Sequence, residues 1–263
     1  MTTETVSTDH HGHDPHVAHH FDDAEQQFEA ANLGMWAFLT TEVMFFGGFF
    51  AAYAIYRSTY PLAFVEGSLH LSHGIGGILG FVNTLFLLCS SLTMVLAVHA
   101  AQTNNSKGAG KLIVTTIILG AIFLGVKSFE YYEKFKHHLV PGIAGFELDD
   151  SERLLLEHGE EELEAAKGSG DVKSIEHAEA IVARGKAVQP RHVEIFMAFY
   201  FGMTGLHALH MIIGIPILGF YAYKAYHNAY SAEYYTPVEM CGLYWHFVDI
   251  VWVFLYPLLY LIR

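Results

Sequence analysis

The chain has 263 residues, of which 52% are apolar and 16% charged, with a mean hydropathy of +0.30 and a formal charge of −13. That balance is too apolar for an ordinary soluble domain and points to a membrane protein. With 14 Lys and Arg against 27 Asp and Glu it lacks the clustered basic surface of a nucleic-acid binder, which excludes that class.

The N-terminal 1–32 stretch is a polar tail. It carries His10, His11, His13, His16, His19 and His20 among aspartates, a composition that is either a weak transition-metal chelator or a solvated tail. Its first thirty residues have no Lys or Arg and no apolar core, so a cleavable signal peptide is not expected and the first hydrophobic segment stays in the mature chain. Five apolar stretches follow, near 33–56, 75–98, 112–131, 193–226 and 241–262. Each is long enough to cross a hydrocarbon core of about 30 Å, which takes about 20 helical residues. A lone strand would leave its backbone unpaired in lipid, so all five are expected to be helices. The expected architecture is therefore all-α, a polytopic helix bundle with five transmembrane helices and an acidic extramembrane insertion. Gly76 and Gly80 form a small-xxx-small pair at the start of the second span, and Pro216 inside the long fourth span predicts a tilt or kink there.

The insertion, 147–190, separates spans 1–3 (33–146) from spans 4–5 (191–263). Over 147–189 it carries 12 acidic and 5 basic residues, with Leu154, Leu155, Leu163, Ile175, Ile181 and Val182 interrupted by Gly168-Ser169-Gly170. Two readings fit this pattern: two short amphipathic helices joined by a turn, or a solvated, partly disordered excursion. Cys89 and Cys241 lie far apart inside apolar stretches and read as packing residues rather than a disulfide or a Cys-x-x-Cys site. Charge bias leaves the orientation open. Lys107, Lys111 and Lys224 fall on the N-terminal side, while Lys134 and Lys136 and the long acidic segment fall on the other.

Glu42 is the sharpest candidate, because a carboxyl group near the middle of a span costs several kcal/mol if charged and unpaired. It is either a proton-handling group in a polar cleft or a neutral acid bonded to a neighbouring helix. His207 and His210 sit three apart in the fourth span, as His246 and Asp249 do in the fifth, and residues three apart share a helix face. Metal or haem ligation is one reading of these pairs; interhelical hydrogen bonding is the favoured one. His99, at the end of the second span, reads as interfacial. No phosphate loop, Ser-His-Asp or Cys-His arrangement is present, so no catalytic, cofactor or metal residue is expected on this chain.

The run over 33–46, LGMWAFLTTEVMFF, resembles the glutamate-bearing helix of cytochrome c oxidase subunit III. Asn83-Thr84 with Ser90, Ser91 and His99 is similar to the next helix of that family, and Phe129-Glu130-Tyr131-Tyr132 to the aromatic-acid end of the one after. The most specific matches are GLHALHMIIG over 205–214 and YWHFVDIVW over 244–252. The resemblance implies the five-helix form of the subunit, in the bacterial cytoplasmic (inner) membrane, with the N-terminus cytoplasmic and the C-terminus and insertion periplasmic. It implies a non-catalytic partner of oxidase subunits I and II, which carry the haem and copper. It further implies bound phospholipid in a helix cleft, support of proton uptake, Glu42 as the family's intramembrane carboxylate, and His99, His207, His210, His246 and Asp249 as polar bundle residues. Asn32 stands where many relatives have a basic residue, so a lipid-phosphate contact there does not carry over.

The insertion replaces a usually short loop, and its negative charge suggests docking of a neighbouring subunit or of a cytochrome c. A subunit of a quinol oxidase or an accessory protein of nitric oxide reductase would share the same residues. An independent transporter or proton channel relaying through Glu42, or a membrane haem protein, are readings from other classes.

Overall fold

The computed structural model describes residues 21–72, 76–142, 146, 153–169 and 171–262. The tail histidines, Gly170 and the 147–152 start of the insertion lie outside them. The described residues are almost entirely helical: α1 (Ala24–Thr59), α2 (Pro61–Ser72), α3 (Gly76–Gln102), α4 (Ser106–Lys136), α5 (Leu154–Ser169), α6 (Val172–Ala187), α7 (Pro190–Tyr226) and α8 (Thr236–Tyr260). Five of these, α1, α3, α4, α7 and α8, are long and apolar enough to cross a membrane, and the chain is a multi-pass membrane protein.

Local chemistry sets several boundaries. The Asp23 side chain accepts from the Gln26 amide and starts α1 well ahead of the apolar run, so the helix reaches back into the stretch expected to be tail. Asn105 caps α4 by accepting from Gly108 N at 2.9 Å, and Asn104 turns the chain with φ 59°. Pro61 opens α2 at the position where a missing N–H costs nothing. That helix was not expected from the sequence: it is too short to span and lies in what reads as a loop. The α7 helix runs unbroken through Pro216.

The bundle has two ends. At one, Ser106 Oγ donates to Ala225 O at 2.8 Å and Ala232 N to Asn104 Oδ1 at 2.7 Å, placing the α3–α4 turn beside the α7–α8 turn. At the other, the Tyr53 hydroxyl donates to Leu258 O, Lys134 Nζ to His70 O, and Tyr60 stacks on His192 at 3.9 Å. The helix α8 is central and the most buried of the five, whereas α1 lies at the edge. The outer surface is apolar, with residues such as Met44 and Ile78 about as exposed as a helix permits.

Lipid offers helices little hydrophobic drive to associate, so close packing and interhelical hydrogen bonds must hold them. Trp245, wholly buried, occupies a slot that two glycines create. A Cβ on Gly120 would come 2.9 Å from its Cη2, and one on Gly214 3.2 Å from its Cζ3. Of the expected small-residue pair, Gly80 packs against Tyr256 of α8, while Gly76 meets only the backbone of Leu71.

Within the insertion, α5 and α6 form a tight hairpin. A Cβ on Gly185 would stand 2.7 Å from Leu156 Cα, and one on Gly159 2.9 Å from Val182 N. The wholly buried Glu66 of α2 ties this hairpin to the bundle. Its Oε2 accepts from Leu155 N at 2.9 Å, a carboxylate at a helix N-terminus.

Candidate functional site

The buried side of α1 is a stripe at three- and four-residue spacing, Leu39, Glu42, Phe46, Phe49 and Tyr53, so Glu42 belongs to the face turned toward α7 and α8. Its Oε2 lies 3.2 Å from His210 Nε2, with the two side chains 20% and 15% exposed. His210 Nδ1 lies 2.8 Å from Leu206 O. A carbonyl only accepts, so Nδ1 carries a proton, and a single further proton sits in the Nε2–Oε2 contact. The pair is then either carboxylic acid with neutral imidazole or carboxylate with imidazolium. Both forms are neutral overall, which is how two ionisable groups can occupy this depth. Tyr244 donates to the His210 backbone carbonyl at 2.9 Å, and Phe46 stands 5.6 Å from the imidazole ring.

His207, three residues earlier, does not share this site. It faces α4 and α8, 5.5 Å from Phe123 and 5.1 Å from Trp252, and neither ring nitrogen has a hydrogen-bond partner among the described residues. The hydrogen bonding expected of it is absent, because its neighbours on that side are aromatic rings. His246 and Asp249 both reach α3, at adjacent serines: His246 Nδ1 is 2.7 Å from Ser91 Oγ, and Ser90 Oγ is 3.5 Å from Asp249 Oδ2. Trp245 Nε1 donates to Ser90 Oγ at 3.0 Å. His99 is exposed and lines a groove between α3 and α8. Among the described residues, no three His, Cys, Asp or Glu side chains gather as a metal site.

The sequence reading missed a buried and fully hydrogen-bonded ionic group. Lys127 and Glu130 of α4 are both about 95% buried and pair at 2.9 Å. Lys127 Nζ also donates to the Tyr260 hydroxyl at 2.8 Å and the Tyr200 hydroxyl at 3.4 Å. Glu130 Oε1 accepts from Tyr200 at 2.7 Å and from Tyr260. Nζ lies 4.9 to 5.6 Å from the rings of Trp252, Tyr200, Tyr260 and Tyr131. All three ammonium protons have acceptors, and the cluster welds α4, α7 and α8. A signal was there: a lysine three residues before a glutamate shares its helix face, and both fall in an otherwise apolar run.

Residues 17–138 and 191–262 match the family model of cytochrome c oxidase subunit III. The protein named cytochrome c oxidase subunit 3 from Thermostichus vulcanus is 27% identical over 242 residues, 92% of each chain. Its namesake from Loxodonta africana is 28% identical over 236 residues, 88% of this chain and 69% of that one. The one from Arabidopsis thaliana is 27% identical over 231 residues, covering 86% and 66%. The α5–α6 hairpin falls in the gap between the two matched segments.

Proposed function

This chain belongs to the cytochrome c oxidase subunit III family, and from that premise we propose that it is the non-catalytic third subunit of a proton-pumping respiratory terminal oxidase passing electrons from cytochrome c to oxygen. Its partners in this reading are subunits I and II, which hold the haem and copper, in a bacterial cytoplasmic membrane with the N-terminus cytoplasmic. The observation that carries the reading is the Glu42–His210 contact: it joins one matched segment to the other, pairing the glutamate of the 33–46 run with a histidine of the 205–214 run. A neutral pair that holds one mobile proton suits a subunit that supports proton uptake by its neighbour. The apolar outer face of α1 suits lipid packed between this helix and the rest of the complex. An equivalent place in a quinol or nitric oxide reducing complex fits the same residues, since donor and acceptor are set by other chains.

The hairpin supplies a second contact. Glu157, Glu160, Glu161, Glu164, Glu176 and Glu179 are exposed on it, and the family match does not include it. It docks a neighbouring subunit or the basic face of a cytochrome c. Purification through a tag on this chain in mild detergent, with mass spectrometry and an optical spectrum, is the test. Haem-copper subunits should co-purify, and Glu42→Gln should leave the haem spectrum intact while lowering proton uptake or catalytic lifetime. A chain that purifies alone refutes the subunit reading. Deleting 153–189 with no loss of assembly or of salt-sensitive donor affinity refutes the docking role.

A further inference from the structure

The seam between α3 and α8 carries polar groups from one end of the bundle to its centre. At the end with the α3–α4 turn, a groove of about 450 Å³ opens, lined by His99 and Gln102 of α3 and by Glu239, Gly242 and His246 of α8. Gly242 lets α3 and α8 approach closely beside the groove, since a Cβ there would stand 3.2 Å from Val98 Cγ2. Glu239, His246 and Asp249 follow at seven- and three-residue steps, so they lie on one face of α8. Asp249 is about 20 Å along the helix from Thr236, counted at 1.5 Å per residue.

From the groove inward the contacts are continuous. His246 lines the groove and reaches Ser91 Oγ at 2.7 Å. The hydroxyls of Ser90 and Ser91 both bear on Asp249. Ser90 already accepts from the Trp245 indole, so its own proton points to Asp249 Oδ2. Among the described residues the second oxygen, Oδ1, is buried with no hydrogen-bond partner, and so is Glu239 Oε2 at the mouth. Asp249 is 2% exposed. The groups that face it are the two serines from α3 and, through Ser91, His246 of its own helix. Among the described residues no Lys, Arg or His lies within salt-bridge distance of it. A carboxylate so placed would be a lone charge in low dielectric, whereas a neutral acid with one water on its open oxygen is fully satisfied.

We propose that the α3–α8 seam is a proton inlet, in which Asp249 exchanges the proton of a neutral carboxyl group with solvent at the α3–α4 turn end, through Ser91, His246 and water in the groove. The exchange balances at each group. The Asp249 carboxyl proton passes to Ser91 Oγ as the Ser91 hydroxyl proton moves to His246 Nδ1 and the Nε2 proton leaves to a groove water as hydronium; the same steps in reverse return a solvent proton to the Asp249 carboxylate. This gives the proton-handling part of the oxidase reading a site on this chain, distinct from Glu42–His210, and it rests on that reading only for its use in the complex.

The test is infrared spectroscopy of the intact complex moved from H₂O to D₂O. Wild type should show a protonated-carboxyl band that Asp249→Asn removes and that shifts promptly on deuteration. In Ser91→Ala and His246→Phe that shift should be about tenfold slower or more. Ser91→Ala keeps the helix and its packing, so it stays informative if His246→Phe fails to fold. An Asp249→Asn variant that loses no carboxyl band overturns the proposal, as does an exchange rate that neither relay variant changes. If the chain purifies without partner subunits, the oxidase reading fails while the carboxyl band can still be measured on the chain itself.

Discussion

Replacing Lys127 by Met keeps most of the stem volume and removes the ammonium alone. Glu130, 5% exposed, would retain the hydroxyls of Tyr200 and Tyr260 but lose the ammonium that pairs with it at 2.9 Å. Breaking a buried pair on one side costs about 3–5 kcal/mol, because the surviving charge is left uncompensated. The four aromatic rings around Nζ lose a cation as well. A cost of about 3 kcal/mol shifts the unfolding equilibrium by a factor of about 10². Lys127→Met/Glu130→Gln carries no charge in the cluster, and should lie within about 1.5 kcal/mol of the parent because replacing both partners is often nearly neutral. Unfolding of the purified chain in micelles with a rising fraction of ionic detergent, followed by Trp fluorescence, reads this directly, since Trp252 lies 4.9 Å from Nζ. If Lys127→Met is as stable as wild type, or if the double variant is weaker than Lys127→Met, the pair is not the electrostatic weld described here.

Gly185→Val should open the α5–α6 hairpin, since its Cβ meets Leu156 Cα at 2.7 Å; overpacking of this kind costs about 1–3 kcal/mol, and proteolysis within 153–189 should accelerate while the spans stay intact. Ser90→Ala should cost about 1–3 kcal/mol in the same detergent assay, because the buried Trp245 N–H loses its acceptor. Asp171 starts α6, and its carboxyl is held below the usual aspartate range first by the Ser174 hydroxyl and then by the Lys173 amide. A folded value below the unfolded one means that this cap supports α6 at neutral pH and loses its hold as acidity carries pH down through the folded value. Protection over 172–180, exchange measured relative to the intrinsic rate at each pH, should therefore fall in acid, and Asp171→Ala should show low protection already at neutral pH.

The α2 helix escaped the sequence reading because its twelve residues are too few to span, and what makes it a helix against the bundle is the burial of Phe64, Glu66 and Leu71, a tertiary event. The insertion was ambiguous for a related reason. Its composition is polar, and the glycines that let α5 and α6 touch look like helix breakers until their partners, Leu156 and Val182, are in place. Glu42 stood out because any carboxyl group in a span must be explained. Lys127 and Glu130 did not, although the same logic applies and their spacing puts them on one face.

Read alone, the chain determined the five spans and the residues that have to find polar partners at depth. Hydropathy is a local sum over some twenty residues, and desolvation of a charge depends first on where along a span it sits. Only the tertiary structure decided who meets whom: Glu42 with His210, Asp249 with Ser90, Lys127 with two tyrosines of different helices, and His207 with aromatic rings. In lipid that choice follows shape and hydrogen-bond geometry between helices, which no single helix contains.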